Sequence, residues 1–315
     1  MKALNGKEWA GCAVGIVLLW LILSYATGDV RLSSLVGILV SAAFLTVVSI
    51  GQAFTITTGR ANIDLSVASM VTMGAFITTR ISDGSAGNLA AALASTMAAG
   101  LLVGAANGFV VSRLRLPAII VTLGVGYILA TACQLLNSGI GMANFGPLAQ
   151  VSNGWIAAIP VVVLLALVVT VGSSWLLTRS AFGHSIIATG QNHRAAELAG
   201  IRVHCVTIAC FMISGCLAAL VGAVLAARSG GAFLDMGSAY LIQSIGAVVI
   251  GGTAIVGGRT TFLGTMLGSV MLVLLVTVMQ VFRLPTGIQE IIQGIIITFI
   301  LLVSRLMAKR ARTAA

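Results

Sequence analysis

The sequence predicts an all-α polytopic membrane protein with about ten transmembrane helices, and three observations carry that prediction. Of 315 residues, 59% are hydrophobic and only 8% are charged, where a soluble domain carries about 25% charged residues. Mean hydropathy is +1.12. The few charges fall between apolar runs about as long as the ~20 residues a helix needs to cross hydrocarbon. The 37 glycines and 6% aromatic content also suit helices packed closely through small residues.

The predicted spans are 10–27, 35–57, 63–80, 89–112, 117–136, 155–177, 204–226, 240–257, 261–281 and 287–304. The first follows Lys2 and Lys7 and reads as a retained helix, because further spans follow it. In the fourth, Gly100, Gly104 and Gly108 form a small-xxx-small ridge for packing. In the eighth, "GAVVIGGTAIVGG" leaves a broken helix and a flexible, closely packed one both open. With the N-terminus inside, 13 of the 17 basic residues lie in the cytoplasm, leaving Arg31, Arg80, Arg228 and Arg283 outside. That asymmetry predicts both termini cytoplasmic and a single transmembrane domain over 1–315. It also accounts for the net charge of +10. No basic stripe interleaved with aromatics is present, so nucleic acid is not an expected partner. The five cysteines have no metal or disulfide spacing and read as small membrane hydrophobes.

Two connections stand out. Residues 137–154 form a long outer loop rich in Gly, Asn and Ser. The inner loop 178–203 contains "QNHRAAELAGI". Asn192 is a candidate N-cap and Gly200 a candidate C′ residue, with about two helical turns between them. A capped helix in an inner loop suits a docking surface for another protein.

The chain carries no Walker A pattern, no Rossmann fingerprint and no HExxH, so ATP-driven work is expected on a partner chain and no cofactor in this one. His184, His193 and His204 lack ligand spacing. Polar residues within the spans are mostly uncharged. In the fifth, Tyr127, Thr131, Gln134 and Ser138 share one helical face. Ser49 and Gln52 share a face in the second, and Asn62, Ser66 and Ser69 in the third. The eighth offers Gln243 and the tenth Gln293 with Glu290. Such groups suit a pathway for a neutral, hydroxyl-rich solute, whereas a single Ser or Thr more often bonds between helices.

The stretch "TTGRANIDLSVASM" reads as a tight return between the second and third spans. Arg60 ends one, and Asp64 opens the next near the cytoplasm, where a carboxylate can cap helix amides or pair with Arg60. Its core "NIDLSVAS" resembles the signature of the membrane permeases of bacterial ATP-binding-cassette sugar importers of the ribose, xylose and galactose type. Further matches follow in order: "QNHRAAELAGI", "AVVIGGTAIVGGRTTFLGTMLG" and a basic tail. Ala61, Asn62 and Ala68 stand where that family usually has glycines. The resemblance implies a multi-pass protein of the bacterial inner membrane. It implies a dimer of identical or related permeases, two ATPase subunits on the cytoplasmic side and a periplasmic sugar-binding protein. Gln191, Asn192, Ala195, Ala196, Glu197 and Gly200 would form the ATPase-coupling segment. The sister permeases for branched-chain amino acids remain the alternative. A passive channel would need no docking helix, and an intramembrane enzyme would need a nucleophile and base that the spans lack.

Overall fold

A computed structural model describes residues 8–28, 32–82, 86–137 and 145–313. Ser138 and part of the outer loop lie outside the described residues. The chain folds into thirteen α-helices, one 3-10 turn at Ala86–Asn88 and one minimal hairpin among those residues. In order they are α1 Glu8–Thr27, α2 Leu32–Thr57, α3 Val67–Ser82, α4 Leu89–Arg113, α5 Ala118–Leu136, α6 Pro147–Asn153, β1 Trp155–Ile156 and β2 Ile159–Pro160. Then come α7 Val161–Arg179, α8 Ala181–Gln191, α9 His193–Leu198, α10 Val203–Ser229, α11 Tyr240–Ile250, α12 Phe262–Val281 and α13 Thr286–Thr313.

Six helices among the described residues are long and apolar enough to cross a membrane: α2 from Leu35, α4, α5, α7, α10 and α12. The protein is therefore a multi-pass, all-α membrane protein. Each of the ten predicted spans has a helix at its place, but three boundaries differ. The third span begins at Val67 rather than 63, because 62–64 is irregular and 65–66 is a turn. The sixth begins at Val161, since Ala157 and Ala158 take positive φ in a hairpin turn and Pro160 holds extended backbone before the helix. The eighth is broken: α11 stops at Ile250 after 11 residues, and an irregular connection, 251–261, runs to α12.

Helix α2 is the centre of the bundle and is buried along most of its length, with α10, α12, α11 and α7 packed around it. One core cluster joins Phe44, Val47, Met70 and Phe76 to Ala218 and Ala219 of α10. A second gathers Ile50, Phe54, Cys210, Val248 and Phe262, with the Phe54 and Phe262 rings 4.7 Å apart and tilted by 45°. The tightest seam runs between α4 and α10. A Cβ at Gly104 would strike the Phe211 carbonyl and come within 2.7 Å of the Met212 Cα, and one at Gly108 would lie 2.6 Å from the Ile208 Cα. The glycine ridge thus lets two backbones touch where hydrocarbon gives no hydrophobic drive for association.

This seam predicts that Gly104→Leu lowers stability by about 1–3 kcal/mol through overpacking. Gly124→Leu, on α5 with nothing within 4 Å of its added Cβ, should change little. Thermal unfolding of the two purified variants in detergent checks the contrast; equal midpoints would refute it.

Candidate functional site

The chain leaves α2 at Thr57 and turns through Gly59, Arg60 and Ala61, whose φ values are 86°, 57° and 55°. Left-handed backbone is costly outside glycine, so two consecutive non-glycine residues there mark a turn that its surroundings enforce. Residues 62–66 then run as non-helical backbone, irregular over 62–64 and a turn at 65–66, before α3 starts. Such backbone has no helix ladder of its own, and a bilayer supplies no water. Each N–H in the segment nevertheless has an acceptor. That of Asn62 donates to the Gly59 carbonyl, Ile63 to Ala61, and Leu65 to the Thr122 hydroxyl at 2.9 Å. Gln52 serves Asp64 on both sides: its Nε2 donates to the Asp64 carbonyl and its Oε1 accepts the Asp64 N–H, each at 3.2 Å.

The Asp64 side chain does the rest. Its Oδ1 accepts from the Ser66 N–H at 3.0 Å and the Ser66 hydroxyl at 2.6 Å, and its Oδ2 from the Ser214 hydroxyl at 2.8 Å. Asn107 of α4 donates to Ser66 Oγ at 2.9 Å. One carboxylate therefore ties the non-helical segment to α10 and, through Ser66, to α4. It corrects the expected pairing with Arg60: Asp64 is 1% exposed, whereas Arg60 is exposed and turned away. It also corrects the depth. Ser214 lies near the middle of the 27-residue α10, roughly 16 Å along the axis from Val203. Asp64 sits within the bundle rather than at its edge.

A second junction lies at the same end of the bundle as Gly59. The Gly258 N–H donates to the Thr57 carbonyl at 2.9 Å. A Cβ at Gly190, the penultimate residue of α8, would overlap that same carbonyl and Gly258, and one at Gly59 would lie 3.1 Å from the Gly190 carbonyl. Three chain segments thus meet backbone to backbone: the end of α2, the end of α8 and the broken connection after α11.

Helix α9 follows α8 directly. Asn192 caps it, its Oδ1 accepting from the Ala195 N–H at 3.1 Å, and Gly200 closes it at φ 83° with the Ile201 N–H returning to the Ala196 carbonyl at 3.0 Å. Ala196 is buried; Gln191, Ala195, Glu197 and Leu198 are exposed. Glu197 pairs with Arg194 at 3.5 Å. His193 is held below its ordinary value by burial first and by the charge of Arg60 second, so it is neutral at neutral pH.

The remaining candidates do not converge in one chain. Ser49 is fully buried, and its hydroxyl has no hydrogen-bond partner among the described residues. Ser69 is half-buried. Tyr127, Thr131 and Gln134 form an exposed stripe on α5, with Tyr127 68% exposed. Gln243 is half-buried on α11 and Gln293 buried on α13. Three supports escaped the sequence: Asn107, Thr122 and Ser214. An asparagine in an apolar span was the available signal for the first. A lone Thr or Ser in a helix usually bonds its own backbone, so the other two carried no signal.

The hydrogen-bond accounting predicts that Gln52→Leu, leaving the Asp64 N–H and C=O without partners, destabilises by about 2 kcal/mol or more. Gln134→Leu on the exposed stripe should shift stability by less than about 0.5 kcal/mol. Denaturation midpoints in one detergent compare them; a neutral Gln52→Leu would remove Gln52 from the account above.

The geometry is a bundle with two helices preceded or followed by irregular backbone and a capped helix outside it, and the comparisons agree with a transport component. Residues 34–301 match the family described as branched-chain amino acid transport system / permease component. The chain is similar to the autoinducer 2 import system permease protein LsrC of Shigella flexneri, 29% identical over 96% of this chain and 88% of that protein. It is 31% identical to the protein of that name from Yersinia pseudotuberculosis, over 83% of this chain and 74% of the relative. The protein of that name from Escherichia coli O157:H7 is 30% identical over 83% and 76%. No solved structure matches. A transport subunit rather than an enzyme, the chain belongs to the branched-chain amino acid transport system / permease component family.

Proposed function

We propose that this permease passes a small neutral, hydroxyl-rich solute, a sugar or polyol, from periplasm to cytoplasm by alternating access. Both chain termini are cytoplasmic in this reading, with ten crossings, those of α3 and α11 completed by non-helical backbone. The observation that carries the solute class is the state of Asp64. It is a carboxylate at membrane depth among the described residues, and protein donors occupy both its oxygens. Glu290 on α13 is exposed. The other polar groups of the candidate pathway are amides and hydroxyls, which can serve a solute's hydroxyls. An amino acid's ammonium group would be desolvated there without a partner. The LsrC relatives are named for import of autoinducer 2. The family's description favours the rival reading, a branched-chain amino acid.

In this reading a periplasmic binding protein delivers the solute. A second permease, a copy or a relative, completes the pathway. The exposed stripe of Tyr127, Thr131 and Gln134 supports a route formed between two chains. A separate ATPase holds the nucleotide, this chain needs no cofactor, and α9 receives the ATPase. Its motion would pass through the Gly190 junction to the end of α2 and to the connection after α11, where both crossings are interrupted.

Uptake into vesicles bearing the full complex tests the solute: neutral sugars should enter and leucine-like amino acids should not. The reverse pattern across a broad sugar panel would transfer the chain to the amino-acid reading. For orientation, single cysteines at Asn153 and Asn192 in a cysteine-free background should label from outside and inside respectively. For coupling, Gly200→Val forces a β-branched residue into left-handed backbone at about 1–2 kcal/mol, with open space around its side chain. Membrane insertion should persist while solute-stimulated ATP hydrolysis falls; normal coupling would count against α9 as the docking element.

A further inference from the structure

A cavity of about 470 Å³ opens beside α9, and of the candidate pathway residues only Asn62 borders it. It is walled by the turn at Arg60 and Asn62, the α4–α5 connection with Ser112, Arg115 and Ala118, the α9 residues His193, Arg194 and Glu197, and the start of α10 with His204 and Thr207. Its charge is unbalanced. Glu197 is the single carboxylate of the lining and already pairs with Arg194. Arg60 and Arg115 have no acidic partner among the described residues, and both take left-handed backbone, with φ of 57° and 56°.

The backbone adds to this field. The first turns of α5, at Ala118, and of α10, at Val203 and His204, both border the cavity. Helices of 19 and 27 residues thus direct their positive ends and free N–H groups at one space. A further polar group is waiting there. Ser112 lines the cavity, and its buried hydroxyl has no hydrogen-bond partner among the described residues; Thr207, 2% exposed, lines it too. His193 and His204 also line it, and each imidazole can offer a ring N–H.

We propose that this cavity binds a small oxyanion of the phosphate class. Two guanidiniums suit the charge and fork geometry of phosphate oxygens. The volume also leaves room for a small organic group on the phosphate. An acidic protein segment fits less well, because the cavity faces His193, Arg194 and Glu197 while Leu198, 77% exposed, and Ala195 lie on another side of α9. The ATPase can therefore meet α9 without filling the cavity. An anion held there would cross-link the docking helix, the α4–α5 connection and the turn that starts the non-helical segment. That the anion comes from the cytoplasm rests on the orientation proposed above; binding itself does not.

The test uses the full chain in nanodiscs of zwitterionic lipid, with inorganic phosphate as the probe and chloride at matched ionic strength as the reference. Phosphate should raise the unfolding temperature saturably. Arg60→Gln and Arg115→Gln, both at exposed side chains, should each weaken the effect about tenfold or more. Arg179→Gln, an exposed arginine at the end of α7, should not. In phosphatidylglycerol nanodiscs, native mass spectrometry separates the sources. Retained lipid that depends on Arg60 and Arg115 assigns the site to a headgroup; phosphate binding unchanged by that lipid assigns it to a soluble anion. No phosphate effect beyond chloride and no retained lipid, or equal behaviour of all three variants, overturns the proposal. So does absent anion binding combined with loss of ATPase assembly in Arg115→Glu, which would make the cavity a protein-docking pocket.

Discussion

Hydrocarbon offers no hydrogen bonds, and that constraint decides how residues 62–66 can exist. A helix satisfies its backbone internally; a non-helical segment in the same medium must borrow partners from its neighbours. Here the lenders are named groups: the Gln52 amide, the Thr122 hydroxyl and the Asp64 carboxylate. The arrangement has structural consequences beyond the segment. Residues 62–66 stand where the first turn of a longer helix would be, so α3 is only 16 residues long. Because Ser214 also binds Asp64, α10 is fixed in register with the segment, and the glycine seam between α10 and α4 is set in turn.

The second interruption, 251–261, is handled with less side-chain chemistry and more backbone contact. Thr261 donates to the Gly251 carbonyl at 2.7 Å, and the Thr253 and Thr260 hydroxyls bond each other at 2.7 Å. Gly258 reaches across to Thr57. The two irregular stretches are thus joined to one another and to the end of α8. Irregular connections placed against a helix outside the bundle form a compact mechanical unit, because regular helices are stiff while such connections can change backbone angles. The match to a transport permease family over most of the chain gives that unit a reason to move.

Charge follows the same division. Within the bundle, the carboxylate of Asp64 is surrounded by donors and contributes to architecture. At the end carrying α9, Arg60 and Arg115 border a cavity and have no acidic partner among the described residues. A buried charge must be satisfied by the protein itself, whereas a charge at the rim can wait for a ligand or partner.

Composition alone determined the class: 8% charge and repeated apolar runs leave no alternative to helices in a membrane. Local chemistry also determined the ends of α9, since Asn192 and Gly200 act within a few residues of themselves. The same local reasoning found the glycine ridge on α4 but not the surface it meets. It misplaced Asp64, reading it as a partner of nearby Arg60, because the group that holds its second oxygen is 150 positions away on α10. Nor could it see that Thr57, Gly190 and Gly258 touch, for glycines in three distant segments carry no mark of their common contact. The exposed stripe on α5 was legible as a face, yet its periodicity does not say what that face meets. Sequence periodicity states which side of a helix is polar; only the tertiary structure states what stands opposite, because hydrogen bonds are satisfied by neighbours in space and not along the chain.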